Sequence, residues 1–97
     1  MRYEVVFSSN AVEDLTNLSA HHRSIVRDAI ELHLRYEPDK LSRSRIKHLH
    51  GVRRPQYRLG VEKFRVYYDI SAHEVEILAI VYKSDAADWL KKIGEKE

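Results

Sequence analysis

The hydrophobic period of this chain changes once, near residue 55, from a helical spacing to strict alternation. Before that point Val12, Leu15 and Leu18 mark one helical stripe. Ile25, Val26, Ala29, Ile30, Leu32 and Leu34 mark a second, broader one. After it, Phe64, Val66, Tyr68 and Ile70 face one way, while Arg65, Tyr67 and Asp69 face the other. A chain of 97 residues ordered in this way reads as one domain, 1–97, of the α+β class.

Local signals place the elements. Tyr3 to Ser8 is rich in valine and aromatics and predicts a short strand. Asn10 with Glu13 predicts a capping box for the first helix, with Ser9 competing for the cap. Ser19 predicts the start of a second helix running to about Tyr36, with Glu31 and Arg35 paired on its outer side. Pro38 stops it, because a residue before proline is pushed out of the α region. Residues 38–55 show no clean period and read as a long loop holding at most a turn of helix. Gln56 to Val61 and Lys63 to Ile70 predict two strands joined by a turn over Gly60 to Lys63. Val75 to Tyr82 is nearly continuously apolar and predicts a central strand covered on both faces. Ser84 caps a last helix, with Asp85 and Asp88 at its positive end, Lys91 and Lys92 at its negative end, and Gly94 closing it. The expected order is β-α-α-β-β-β-α. A two-helix hairpin packs on one face of a mostly antiparallel four-stranded sheet.

Several classes fall away. There is no cysteine, so a disulfide scaffold, a cysteine zinc site and a thiol nucleophile are excluded. The longest apolar run, Ile77 to Tyr82, is six residues, far short of a membrane span. The opening MRYEVVFSSN turns polar too early for a signal peptide, which makes a cytoplasmic location the expectation.

The formal net charge is only +2, but it is unevenly spread. Residues 1–40 carry −2 and residues 67–97 carry −3. Between them, Arg43, Arg45, Lys47, Arg53, Arg54, Arg58, Lys63 and Arg65 face Glu62 alone, a block of +7. Such a block points to a polyanion, nucleic acid first. The alternation sends Arg58, Arg65 and Tyr67 to the sheet face away from the helices. Arg58 and Arg65 share one phase of neighbouring strands, so their guanidinium forks can converge on one phosphate. Lys47, Arg53, Arg54 and Lys63 extend the same basic region, and Tyr67 and Trp89 are candidates to stack on bases. The bland alternative is a solvated face whose arginines pair with Asp69 and Glu76. Trp89 has its own alternative, packing the last helix onto the sheet.

His48 and His50, in KHLHG, sit beside the basic block, where an imidazole can act as general acid or base. As metal ligands they lack a third partner at a recognisable spacing, and no metal is assigned. No serine sits in G-x-S-x-G, and neither a P-loop nor G-x-G-x-x-G is present.

Taken together, YEVVFSSNAVEDLTNL, HLHG, QYRLGVEKFRVYYDI and VEILAIVYKSDAADWL resemble the RelE/ParE superfamily of type II toxins over nearly the whole chain. The paired Y-R-L and F-R-V-x-Y segments are the most specific part, and they look closer to the RelE-like mRNA interferases. The resemblance implies a toxin that inhibits translation by metal-independent cleavage of mRNA in the ribosomal A site, without a cofactor. It also implies a cognate antitoxin, RelB-like or Phd/YefM-like, with operator DNA engaged only through the complex. On this resemblance Arg58 faces the phosphate, Arg65 stabilises the transition state, and Lys83 serves the leaving group. Trp89 lies near a base-stacking tyrosine. Gly60 stands where the RelE pattern has a second lysine, a proposed base, which leaves His48 or His50 for that role. A ParE-like toxin that traps DNA gyrase, or an inactive binding module of the same fold, are the alternatives.

Overall fold

The computed structural model describes residues 1–96. Its elements are β1 (Glu4–Phe7), α1 (Ser9–Thr16), α2 (Ala20–Leu34), β2 (Ile46–His48), β3 (Tyr57–Val61), β4 (Phe64–Ser71), β5 (Glu74–Tyr82) and α3 (Ala86–Lys96). A 3-10 turn, Lys83–Asp85, leads into α3. The strands form one five-stranded sheet ordered β1-β5-β4-β3-β2. Only the β1–β5 pair is parallel. No helix among the described residues is long and apolar enough to cross a membrane.

The α+β class is as expected, with one strand more. β2 lies inside the segment expected to be loop or a turn of helix. It pairs Ile46 with Leu59, Lys47 with Arg58 and His48 with Tyr57. Its only buried position is Ile46, so three residues of edge strand left no readable period. The middle strand is therefore β4, and β5 lies between it and β1. Gly60 belongs to β3, and the hairpin turn falls on Glu62, whose φ of 51° is in the left-handed region.

The helices depart from expectation in detail. Ser8, not Asn10 or Ser9, caps α1: its Oγ accepts from Ala11 N at 3.1 Å. Starting the helix there turns Ala11, Leu15 and Leu18 inward and leaves Val12 51% exposed. Ser19 caps α2 as expected, accepting from His22 N at 3.2 Å. That helix ends at Leu34 rather than Tyr36, and buries Val26, Ile30 and Leu34 while Leu32 stays outside. Each of those three buried side chains is worth about 1.5–3 kcal/mol of removal from water. Glu31 and Arg35 form their ion pair, and Arg35 Nη1 also donates to Tyr3 O at 3.1 Å, tying α2 to β1. Helix α3 runs through Gly94 to Lys96, so the glycine does not close it.

One face of the sheet meets α1 and α2. Its core is Leu59, Val61, Phe64, Val66, Tyr68, Val75, Ile77 and Ile80 against Ala11, Leu18, Val26, Ile30 and Leu34. Tyr68 is buried there and satisfies its hydroxyl by donating to Pro38 O at 2.7 Å. A bulge at Leu78 shifts the register so that Tyr68 pairs with Ile77 and Tyr67 with Ala79. β1 stops short of this bulge. Ser8 N donates to Ile77 O at 2.9 Å, and Asp14 accepts from Ile80 N at 2.9 Å. Helix α1 thereby closes the edge of β5 that β1 leaves bare. Burial first, then Glu13, pushes the Asp14 carboxyl up, while the Ile80 hydrogen bond opposes them.

Candidate functional site: an arginine-bearing sheet face

The second face of the sheet is built in rows. Strand alternation puts Lys47, Arg58, Tyr67 and Ala79 in one row and Gly60, Arg65 and Val81 in the next. Arg65 is the diagonal neighbour of Arg58, a separation of roughly 7–8 Å between backbones. Two long side chains at that spacing reach one phosphodiester. Lys83 N donates to Lys63 O at 2.6 Å, so the two lysines leave the sheet together two residues beyond the Arg65–Val81 pair.

Arg58 and Arg65 are half-buried, and neither has a carboxylate within ion-pair distance among the described residues. Burial first, then the neighbouring Arg58 charge, pulls the Arg65 guanidinium below the ordinary arginine value. Tyr67 is 1% exposed. Burial pushes its phenol up, and the charges of Arg58 and Arg65 pull against that shift, which puts all three groups in one neighbourhood.

Asp69 and Glu76, the acidic partners of the bland alternative, are taken by another residue. Arg54 reaches from the β2–β3 loop to Asp69, Nε to Oδ2 at 2.6 Å, and to Glu76, Nη2 to Oε1 at 2.9 Å. Gln56 N donates to Asp69 Oδ1 at 2.7 Å, and Ile70 N donates to Gln56 Oε1 at 2.9 Å. The hydrogen bond to Asp69 is the largest influence holding Arg54 above the ordinary arginine value. Arg54, grouped in the sequence with the nucleic-acid contacts, is thus a structural staple of the acidic end of the face. Arg53 is exposed beside it.

Trp89 settles onto the sheet. Its ring stacks on Tyr67 with centroids 4.6 Å apart and planes 14° apart. The face expected to be uncovered is therefore covered by α3 over Tyr67, and stays open over Arg58, Arg65 and Lys47. A cleft of about 400 Å³ adjoins Trp89, lined by Asn10, Glu13, Asp14, Leu78 and Ile93 among others. Arg54 also lines it but is engaged by Asp69 and Glu76, and the carboxylates of Glu13 and Asp14 suit an anion poorly.

The histidines are not brought to the arginines. His48 pairs with Tyr57 and shares the phase of Ile46 and Leu59, the helix-side face. Its ring meets Tyr57 at 5.0 Å and His50 at 5.1 Å, both edge-on. The sequence reading also missed a contact on the helix side. Arg45 Nη1 lies 2.6 Å from His33 Nε2, joining α2 to the residue before β2. No sequence signal pointed to it, because the three residues of β2 that bring Arg45 up to α2 are too few to show a period.

No protein-family model matches the chain, and no curated protein does. Solved structures do. A chain of the RelBE2 toxin-antitoxin complex of Mycobacterium tuberculosis superposes with a TM-score of 0.68 at 23% identity, over 84% of this chain and 99% of that one. The RelB-RelE antitoxin-toxin complex of Methanococcus jannaschii gives 0.64 at 19%, over 87% and 96%. The archaeal RelE-RelB complex of Pyrococcus horikoshii gives 0.63 at 25%, over 86% and 97%. The fold is RelE-like.

Proposed function

We propose that this chain is the toxin of a toxin-antitoxin pair and acts by cleaving mRNA, with its antitoxin covering the basic face until release. The fold shared with chains of three toxin-antitoxin complexes supports the coarse part. One observation carries the finer part: Arg58 and Arg65 converge on an open sheet face with no carboxylate partner among the described residues. Two buried-side guanidiniums held together repel each other, and a phosphodiester relieves that repulsion.

In the reaction, the ribose 2′ oxygen attacks the adjacent phosphorus and the bond to the 5′ oxygen breaks. Solvent water takes the proton from the 2′-OH and the Lys83 ammonium supplies one to the 5′ oxygen, giving a cyclic phosphate and a free 5′-OH. Arg58 orients the phosphate. Arg65 meets the charge that grows on the non-bridging oxygens, where preorganised donors count most. Lys83, two residues beyond the partner of Arg65 on β5, neutralises the leaving oxygen. Lys47 and Lys63 hold flanking phosphates. The first test is induction in cells lacking the antitoxin, followed by mapping of transcript 5′ ends. Growth arrest with new ends inside coding regions is the expected result.

A second reading has one observation in its favour. Among the described residues, two natural candidates do not offer the arginine face a base: burial pushes the Tyr67 phenol up, and His48 faces the other way. A ParE-like toxin acting on gyrase needs no base. Arrest with DNA damage and intact transcripts selects that reading, and harmless expression selects an inactive module.

A further inference from the structure

Gly60 stands directly across from Arg65 in the β3–β4 pairing, on the face that carries both arginines. A Cβ built on Gly60 lies 3.3 Å from Arg65 Nη1, 3.1 Å from Ser44 O and 3.7 Å from Arg45 O. The first two are tighter than ordinary van der Waals contact. The Arg65 guanidinium is therefore not extended from the sheet. It folds back across the bare backbone of Gly60, with Nη1 3.5 Å from the Phe64 carbonyl oxygen. The backbone at this point is fixed, since Gly60 N donates to Arg45 O at 2.8 Å and so continues the β2–β3 ladder. The conformation at Gly60 is ordinary strand, so no left-handed φ accounts for the glycine. What the position withholds is volume.

We infer that Gly60 is a positioning residue for Arg65: the missing side chain is a notch in which the guanidinium lies flat and is aimed toward Arg58. A methyl group there meets a rigid carbonyl on one side and the end of a flexible side chain on the other. Both must give by a few tenths of an ångström, and the flexible end is the one free to swing away, so Gly60→Ala displaces Arg65 in addition to pressing on the Ser44 carbonyl. The functional consequence rests on the reading of Arg65 as a phosphate ligand, while the positioning itself does not.

The test uses the full chain and four proteins: wild type, Gly60→Ala, Arg65→Ala and the double variant. The arginine Nε–Hε resonances are read by NMR, with that of Arg65 identified by its loss in Arg65→Ala. Affinity is read by anisotropy with a short single-stranded RNA methylated at every 2′ oxygen, which binds without being cut. Arg65→Ala weakens binding roughly tenfold, the scale of a lost charge-assisted hydrogen bond. Gly60→Ala shifts the Arg65 resonance and weakens binding nearly as much. The double variant binds no more weakly than Arg65→Ala alone, because both changes remove one interaction. An unmoved Arg65 resonance in Gly60→Ala overturns the inference, as does a double variant whose loss is the product of the two. If Arg65→Ala binds RNA as well as wild type does, the phosphate reading fails, and the resonance still decides for or against the notch. If Gly60→Ala does not fold, the double variant decides. Recovery of a folded spectrum supports a clash with the guanidinium, and an unfolded double variant makes the Ser44 carbonyl the constraint and sinks the idea.

Discussion

Two sets of arginines lie on one face of this sheet and live differently. Arg54, at one end, is held by Asp69 and Glu76 with both contacts under 3.0 Å. Arg58 and Arg65, at the other, have each other and a buried phenol. The stack of Trp89 on Tyr67 separates the two regions. The same residue type on the same face therefore serves two ends. Where carboxylates project from the next strands, the arginine is structure. Where they do not, charge is left over, which is what the proposed phosphate ligand would neutralise.

The largest effect should come from the unpaired end. Arg65→Ala is expected to lower the cleavage rate by roughly 10²–10³-fold, the scale for removing one donor to a developing oxyanion. Growth arrest should vanish, and the circular dichroism spectrum and melting temperature should stay close to wild type. Primer extension on induced cells measures the first, and thermal unfolding the second. A variant that cuts normally erases the distinction between the two arginine sets.

The division was half legible in the sequence. Alternation in Phe64–Ile70 correctly sorted Arg65, Tyr67 and Asp69 from the core residues, because period 2 is a property of the strand itself. Which arginine meets Asp69 was not legible. Arg54 reaches it across a loop whose path follows from β2, and β2 offers one buried residue and a lysine to anyone looking for a period. The histidines misled for the same reason. Beside the basic block in sequence, His48 falls one position out of phase with Lys47 and so lands on the opposite face. Trp89 could be read either as packing or as a stacking platform; the stack on Tyr67 shows it packing. The cap of α1 was missed by one or two residues, since Ser8, Ser9 and Asn10 are all competent and only the end of β1 decides among them, whereas Ser19 was legible as the cap of α2.

The next effect is on the divide itself. Trp89→Ala uncovers Tyr67 and should cost about 2–3 kcal/mol, below the range for a fully buried tryptophan because this one is only partly enclosed. Burial is the main cause of the raised Tyr67 phenol. Removing the lid leaves the two arginine charges in command, so Tyr67 should ionise at lower pH than in wild type. Ultraviolet titration of the phenolate reads this directly, with Tyr67→Phe as the reference. An unchanged titration means that Trp89 does not shield the phenol.

Arg54→Ala should do the opposite of Arg65→Ala. Asp69 is only 14% exposed in its side chain and loses its main partner, although it keeps the Gln56 N–H. A loss of about 1 kcal/mol is expected, because Arg54 itself is well solvated. Urea unfolding measures it. Binding of the uncleavable RNA should stay within about twofold, since one rim charge contributes little once a neighbour already neutralises it. If Arg54→Ala weakens RNA binding as strongly as Arg65→Ala, the acidic end is part of the site after all.

A fourth arginine extends the comparison to a partner that titrates. Arg45 meets His33, whose imidazole is held below the ordinary value of 6.5 by burial first and by Arg45 next. Arg45 can only donate, so His33 Nε2 accepts, and the ring must be neutral. Tyr36, Glu37, Lys40 and Ser42 line the same recess, where Glu37 pairs with Lys40. The sign follows from the depressed value. The unfolded chain takes up the proton more readily than the folded one. The contribution is therefore full above the ordinary imidazole value and is lost as pH falls through it toward the folded value. Wild type should lose stability on acidification from about pH 8 to about pH 5, the range in which imidazole changes charge. His33→Gln keeps an acceptor for Arg45 and does not titrate, so the difference in urea midpoint between the two proteins should grow in favour of the variant as pH falls. The effect is the smallest of the four because water screens a ring that is only partly enclosed. A difference that is flat with pH means that His33 is not protonated more readily on unfolding, and it would leave Arg45 grouped with Arg54 as an arginine whose partner is insensitive to pH.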